Sequence, residues 1–310
     1  MRYIVTGGAG FIGSHLVDKL ANEGHEVIVI DDFSLGKEEN IKHHQNNNNV
    51  TIHKRDINED LNGIFQKGID AVFHLAAIPR VQFSIKNPLQ THKANVNGTF
   101  NLLLMCKKYG VKRFIFSSSS SIYGDQDILP LKETMEPNPM SPYALHKLIG
   151  EHYCKLFHQI FNLETISLRY FNVFGPRIDP EGEYACLIPK FIKLIHQDTR
   201  PTIFGDGEQT RDFTFVSDVI EANILAAKTE NKNCFGQAFN IGNSRNLSVN
   251  EITKTILDLS NKNIEPIHGP PVIEPKHTLA DSTKAKEFFS WQPKVVFEDG
   301  LEKTHQFITN

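Results

Sequence analysis

Tyr143 and Lys147 stand four residues apart in Tyr143-Ala144-Leu145-His146-Lys147, a spacing that brings a phenol and an ammonium onto one face of a helix. A free tyrosine titrates near 10, so a phenol that acts as a base at neutral pH needs its pKa lowered by about three, roughly 4 kcal/mol. A neighbouring cation supplies this by favouring the phenolate. Upstream lies Ser117-Ser118-Ser119-Ser120-Ser121-Ile122-Tyr123-Gly124, where a hydroxyl could share a proton with Tyr143 and with a substrate oxygen. Together these groups fit proton transfer to and from an alcohol.

A second motif concerns phosphate. Thr6-Gly7-Gly8-Ala9-Gly10-Phe11-Ile12-Gly13 places glycines at 7, 10 and 13 between a short β-rich run and a helical pattern. In that setting glycines permit a tight turn and a close approach of the backbone to a pyrophosphate, whose charge the helix N-terminus stabilises. Asp31 ends the next apolar run, where a carboxylate can accept hydrogen bonds from both hydroxyls of an adenosine ribose. Asp32 adds a second negative charge and no Arg follows; a 2′-phosphate would be repelled, so NAD is favoured over NADP. Asp56, after the third run, suits either the adenine amino group or the cap of a helix starting near Asn58.

Short apolar strands that alternate with helices must carry these motifs. Tyr3-Ile4-Val5-Thr6, Val27-Ile28-Val29-Ile30, Val50-Thr51-Ile52, Ala71-Val72-Phe73-His74-Leu75, Phe114-Ile115-Phe116 and Thr165 to Tyr170 read as six strands. Their nearly unbroken hydrophobicity predicts a parallel sheet buried on both faces. Long helices are predicted from about Pro88 to Tyr109 and from Pro142 to Phe161, the latter opened by a first-turn proline. Beyond Asn172 the rhythm weakens into Gly- and Pro-rich loops with helices near Leu187–His196, Val216–Ala227 and Ser248–Ser260 and two short ones at the end. The predicted class is α/β, a Rossmann-like doubly wound parallel sheet over residues 1–171 with a smaller C-terminal substrate-binding lobe over 172–310, of which segments near 213–241 return to the first part.

The chain has 310 residues, 33 basic and 36 acidic, with 40% hydrophobic and 22% charged residues. That is the profile of an ordinary globular protein and argues against a nucleic-acid binder or a disordered chain. Cys106, Cys154, Cys186 and Cys234 stand far apart without a CxxC, so reduced, mostly buried thiols are expected. No apolar stretch is long enough to span a membrane and no signal peptide precedes the first strand, which predicts a cytoplasmic protein. His43 and His44 precede the polar run Asn46–Asn49 with no carboxylate or cysteine at ligand spacing; a solvated loop is expected there, and no metal site.

These motifs resemble the extended short-chain dehydrogenase/reductase family and, within it, the nucleotide-sugar 4-epimerases of the UDP-galactose 4-epimerase type. The resemblance runs along nearly the whole chain. Beyond the motifs above it rests on His74-Leu75-Ala76-Ala77, Asn95-Val96-Asn97-Gly98-Thr99, Arg169-Tyr170-Phe171-Asn172-Val173-Phe174-Gly175-Pro176, Arg211-Asp212-Phe213 and Ala280-Asp281-Ser282-Thr283-Lys284-Ala285. It implies Tyr143 as base, Lys147 as its helper and Ser119 as the catalytic hydroxyl. NAD is implied at Gly7, Gly10, Phe11, Ile12, Gly13, Asp31, Asp32, Asp56, Ile57, Leu75, Ala76, Ala77, Asn95, Ser117, Tyr143, Lys147 and Tyr170. A UDP-sugar is implied at Ser84, Ser119, Ser120, Ser121, Asn172, Leu187, Ile203, Phe204, Arg211, Glu274 and Thr278. It also implies a homodimer joined by a four-helix bundle of the two long helices.

The implied reaction inverts C4 of a UDP-hexose through a transient 4-keto sugar. Pro271 stands where the family usually has a diphosphate-gripping Arg, and Pro79 where it often has a Lys, which puts the nucleotide clamp and one cofactor contact in question. Thr278 matches a position where a small residue admits a 2-acetamido group, so UDP-N-acetylglucosamine and UDP-N-acetylgalactosamine are expected beside UDP-glucose and UDP-galactose. Alternatives are a UDP-glucuronate 4-epimerase, a nucleotide-sugar 4,6-dehydratase, disfavoured because the serine run lacks the acid and base that elimination needs, and a non-catalytic NAD-binding regulator.

Overall fold

The structure is a computed structural model that describes residues 1–79, 81–181, 186–272 and 275–310. Seven strands make one parallel sheet: β1 (Arg2–Thr6), β2 (Glu26–Asp31), β3 (Val50–Lys54), β4 (Ala71–His74), β5 (Arg113–Ser119), β6 (Glu164–Tyr170) and β7 (Gln237–Ile241). Their order is β3-β2-β1-β4-β5-β6-β7, and every neighbour runs parallel. Successive side chains point to opposite faces, so Tyr3, Val5, Val27 and Phe73 join one core while Ile4, Ile28, Val72 and Phe114 join the other. Helices cover both cores, as the unbroken apolar strands require. The order reverses between β1 and β4, with Thr6 level with His74, and a crevice for ligands opens at that point in doubly wound sheets.

The first helix, Phe11–Asn22, starts straight from the glycine turn, and the Pro142–Phe161 helix is set by its ends. Ser141 Oγ accepts the Ala144 N–H at 3.1 Å, Pro142 occupies the first turn, and Asn162 closes the helix in the left-handed region at φ 54°. The predicted helix from Pro88 to Tyr109 is interrupted: Pro88–His92 and Gly98–Tyr109 are α-helical, but Lys93–Asn97 widens into a π-turn. A short helix at Val81–Lys86 precedes it, which the sequence reading had left out.

The C-terminal elements are shorter. Val173–Phe174 pairs with Thr214–Phe215, Thr210–Asp212 with Asn246–Ser248, and Thr202–Phe204 with Ile267–Gly269. Helices Leu187–His196, Val216–Lys228, Val249–Leu259, Thr283–Phe289 and Phe297–Thr309 pack around them, and β7 returns to the edge of the main sheet. All four cysteines are free, with Cys186 exposed and the other three buried. Among the described residues no helix is long and apolar enough to cross a membrane.

Candidate active site

The glycine turn is a cradle with no spare volume. Gly7 has φ +69°, and a Cβ there would lie 2.6 Å from the backbone nitrogen of Ala76; a Cβ on Gly13 would land on the Gly7 carbonyl oxygen. Gly10 caps the first helix without a side-chain acceptor, and the first turn holds no acidic residue. The Phe11, Ile12 and Gly13 N–H groups thus face the crevice without an intrahelical partner, an arrangement that favours an anion. Asp31, buried at the end of β2, accepts from Ala9 N at 2.9 Å and Phe33 N at 2.8 Å. Burial pushes its carboxyl up, against those two hydrogen bonds. Asp32 is exposed and accepts from Ser34. The glycine cradle, the open helix start and these carboxylates fit a dinucleotide.

Asp56 does not cap a helix. Its Oδ1 accepts from Asn58 N at 2.9 Å and Asn58 Nδ2 at 2.8 Å, closing a turn with no helix behind it. Adjacent Ile57 is buried against Gly98, where a Cβ would collide with its side chain.

A chain of buried hydrogen bonds ties β1 to β4. Thr99 Oγ1 donates to the Asn95 carbonyl at 2.7 Å, so it must accept from His74 Nε2 at 2.8 Å. His74 Nδ1 therefore accepts from Thr6 Oγ1 at 2.8 Å, and Thr6 Oγ1 accepts from Ala76 N at 3.3 Å. Burial, then the charge of Lys147, lowers the His74 pKa to about 3, in keeping with a neutral ring. Asn95 Oδ1 accepts from Ile78 N at 2.8 Å and its Nδ2 donates to Ile78 O at 3.1 Å. Asn95 thus holds the Leu75–Ala76–Ala77 loop in place from inside the π-turn.

At the carboxyl end of β5 the predicted catalytic groups meet. Ser119 Oγ accepts from Ser121 N at 3.2 Å, and its hydroxyl stands beside the Tyr143 phenol, where it favours the phenolate. Lys147 Nζ donates to Ser117 O at 2.5 Å and lies 5.9 Å from the Tyr143 ring centroid. The electrostatics differ from expectation: burial pushes Tyr143 up to about 12 despite Ser119, and pushes Lys147 down to about 8 against the charge of Glu151. Tyr143 is not lowered within the chain alone. Ser120 and Ser121 begin a 3-10 turn, and Ser121 Oγ is shut from solvent with no hydrogen-bond partner among the described residues. Ser84 is buried; its Oγ donates to Val81 O at 2.6 Å and accepts from Tyr143 N at 3.1 Å, so it anchors the start of the Pro142–Phe161 helix. Tyr170 turns its hydroxyl to Asn223 and Ser117.

Beneath this lies a polar network that sequence reasoning missed. Glu151 accepts from Ser118 Oγ at 2.5 Å and from Arg169 Nε and Nη2 at 2.9 and 2.7 Å. Arg169 Nη1 donates to Tyr123 Oη at 2.8 Å, which donates to Asn240 Oδ1 at 2.7 Å. The signal was present: Glu151 follows Lys147 by one helical turn, on the same face.

Further residues line the C-terminal side. Asn172 Nδ2 donates to Asp212 O at 3.0 Å. Leu187 opens its helix behind Cys186, which provides no side-chain cap, leaving N–H groups for an anion. Ile203 is buried and Phe204 is 42% exposed. Arg211 Nη1 donates to Thr210 O at 2.9 Å. Buried Thr278 accepts the Asp212 N–H at 3.3 Å through its hydroxyl. Asp212 in turn gathers Asn243, Ser244 and Ala280 N–H groups at 2.7 to 3.0 Å. Pro271 lies against Gly205. Glu274 lies outside the described residues.

Residues 3–242 match the model of the NAD dependent epimerase/dehydratase family. The chain is 37% identical over 308 residues to a putative UDP-glucose 4-epimerase of Methanocaldococcus jannaschii, covering 99% of this chain and 98% of that protein. Among solved structures it is similar to a UDP-N-acetylglucosamine 4-epimerase from Methanobrevibacter ruminantium in complex with UDP-N-acetylmuramic acid, with a TM-score of 0.94, 39% identity and 99% and 97% of the two chains covered. A UDP-glucuronic acid 4-epimerase from Bacillus cereus, in complex with UDP-glucuronic acid and NAD, gives 0.93, 38% and 99% of each chain. Cradle, catalytic face and these likenesses agree, and the chain belongs to the NAD-dependent epimerase/dehydratase family, whose cofactor is NAD.

Proposed function

We propose that the chain is a UDP-sugar 4-epimerase that acts on 2-acetamido hexoses as well as plain hexoses. The observation that carries this reading is the meeting of Ser119, Tyr143 and Lys147 at the carboxyl end of β5, beside the glycine cradle. Bound NAD supplies a hydride acceptor at C4 of the sugar that returns the hydride to either face. Tyr143, directly or through Ser119, takes the 4-hydroxyl proton and gives it back. Lys147 holds a positive charge below the phenol and reaches the nicotinamide ribose. Ser121 Oγ, buried without a protein partner, is placed for a sugar oxygen.

The diphosphate is gripped by the open helix start at Leu187 and by Arg211, with Asn172 nearby, so the sugar can turn while its nucleotide stays. Phe204, partly exposed, offers a face for the uracil. The small side chain of Thr278 leaves space for an acetamido group. Residues 172–310 serve mainly this side and residues 1–171 the cofactor.

Leu89, Phe100 and Leu104 on one long helical segment and Leu145, Leu156 and Ile160 on the other are exposed apolar residues. They support a homodimer through a bundle of four helices. The free thiols accord with a cytoplasmic protein.

The test is incubation of purified protein, without added cofactor, with UDP-glucose, UDP-galactose, UDP-N-acetylglucosamine, UDP-N-acetylgalactosamine and UDP-glucuronic acid, followed by separation of the 4-epimers. Interconversion of both the hexose and the acetamido pairs is expected. Turnover of UDP-glucuronic acid alone overturns the assigned sugar, and no epimer from any of them overturns the activity.

A further inference from the structure

Asp18, His43 and His44 form a cluster that the proposed reaction does not use and that does not depend on it. Asp18 is more than twenty residues away in sequence, but the fold brings it to the two histidines from the first helix. His43 Nε2 and His44 Nε2 each lie 2.7 Å from the same atom, Asp18 Oδ1, and the three candidate ligand atoms are within 4.8 Å of one another. The cluster also has outer partners of the kind that orient ligands. Arg177 Nη2 takes the other oxygen, Asp18 Oδ2, at 2.7 Å, leaving Oδ1 to the histidines. Asn47 Nδ2 donates to His44 Nδ1 at 3.3 Å, and Asn47 Oδ1 accepts from Asn49 N at 3.0 Å. A metal at His44 Nε2 therefore takes the place of the proton that this nitrogen shares with Asp18 Oδ1. The His44 side chain is 5% exposed and fixed, whereas that of His43 is 50% exposed and leaves the cluster open to water.

We propose that Asp18 Oδ1, His43 Nε2 and His44 Nε2 form a binding site for a divalent first-row transition metal such as zinc or cobalt, apart from the dinucleotide crevice. Two imidazoles and one carboxylate suit such ions, whereas calcium and magnesium take oxygen ligands. Donors about 2.0–2.2 Å from an ion stand about 2.9 Å apart when they subtend a right angle and about 3.3 Å in a tetrahedron. The 2.7 Å spacings are close to the first case, so the carboxylate oxygen and each imidazole can meet one ion at about a right angle, with water completing its shell. The ion pins the 42–44 turn to the helix that begins at the cradle and, through Arg177, to the segment after Gly175.

The full chain, treated with a chelator and then titrated with Co2+, tests this by visible absorption and calorimetry, beside His43→Ala and Asp18→Asn. One Co2+ per chain is expected, with at least tenfold weaker binding in each variant. Zn2+ should raise the Tm of the native chain and leave that of His43→Ala unmoved, while retained NAD and epimer turnover stay the same in His43→Ala. Because His43 is exposed, that variant remains informative if Asp18→Asn does not fold. Absence of saturable binding at one ion per chain, or equal affinity in the native chain and His43→Ala, overturns the proposal.

Discussion

The pyrophosphate cradle and the catalytic face share one edge of the sheet but are prepared differently. The cradle is made of shape: Gly7 and Gly13 exclude side chains, and the first helix starts with N–H groups that no side-chain cap takes up. It is complete in the chain by itself. The catalytic face has its geometry, with Ser119 on Tyr143 and Lys147 behind, but not its charge state. Burial holds Tyr143 near 12 and Lys147 near 8; both groups are pushed towards neutrality because a dry site penalises each ion. On the proposed reading the phenol becomes a base only when a further positive charge arrives, which the oxidised, cationic nicotinamide of an NAD held in the cradle would supply. On that reading, shape built in advance selects the ligand whose charge completes the chemistry.

The largest expected effect tests the charge side of that contrast. Tyr143→Phe should lower kcat by about a thousandfold, roughly 4 kcal/mol, while NAD remains bound; epimer formation and bound cofactor, measured on one preparation, separate the two. Loss of both together would break the comparison. Gly7→Ala should do the opposite. A side chain at φ +69° against the Ala76 backbone costs about 3 kcal/mol in strain and should strip the chain of NAD, as read from its nucleotide content after purification.

Lys147→Met sharpens the electrostatic half. Lys147 titrates near 8 in the fold against 10.5 as a free side chain, so the folded chain binds fewer protons between those values and gains stability as pH rises from about 8 to about 10. The variant should abolish turnover, exceed the native chain in stability by about 1–3 kcal/mol at pH 7 and lack that rise. Urea midpoints at pH 7 and 9.5 check this. The smallest effect concerns the sugar: Thr278→Tyr should cut acetamido-sugar turnover about tenfold more than hexose turnover, and equal losses would remove Thr278 from specificity.

Much of this was legible in the chain before folding. Unbroken apolar runs disclosed six strands, Pro142 marked the start of the helix that carries Tyr143, and the spacing of Tyr143 and Lys147 anticipated their meeting. What local patterns could not show were contacts made across the sheet. A return of the chain near 213–241 was legible, but not that Gln237–Ile241 pairs with β6 as a seventh strand. Asp56 closes a turn instead of capping a helix. Asp18 meets two histidines more than twenty residues away in sequence through tertiary packing. The direction of the Tyr143 shift was hidden too, because spacing reveals the ammonium but not the burial that outweighs it.

The π-turn at Lys93–Asn97 has a mechanical consequence. One surplus residue in a helical turn rotates everything downstream by about 100° about the axis. Asn95 therefore faces inward to clasp Ile78, while Phe100 and Leu104, a little further on, face outward. A rod clamped at one point and gripped on its flank by another subunit would pass torque from one to the other. Deleting a residue from that turn would swing the outer flank away and loosen the Leu75–Ala76–Ala77 loop in the same stroke.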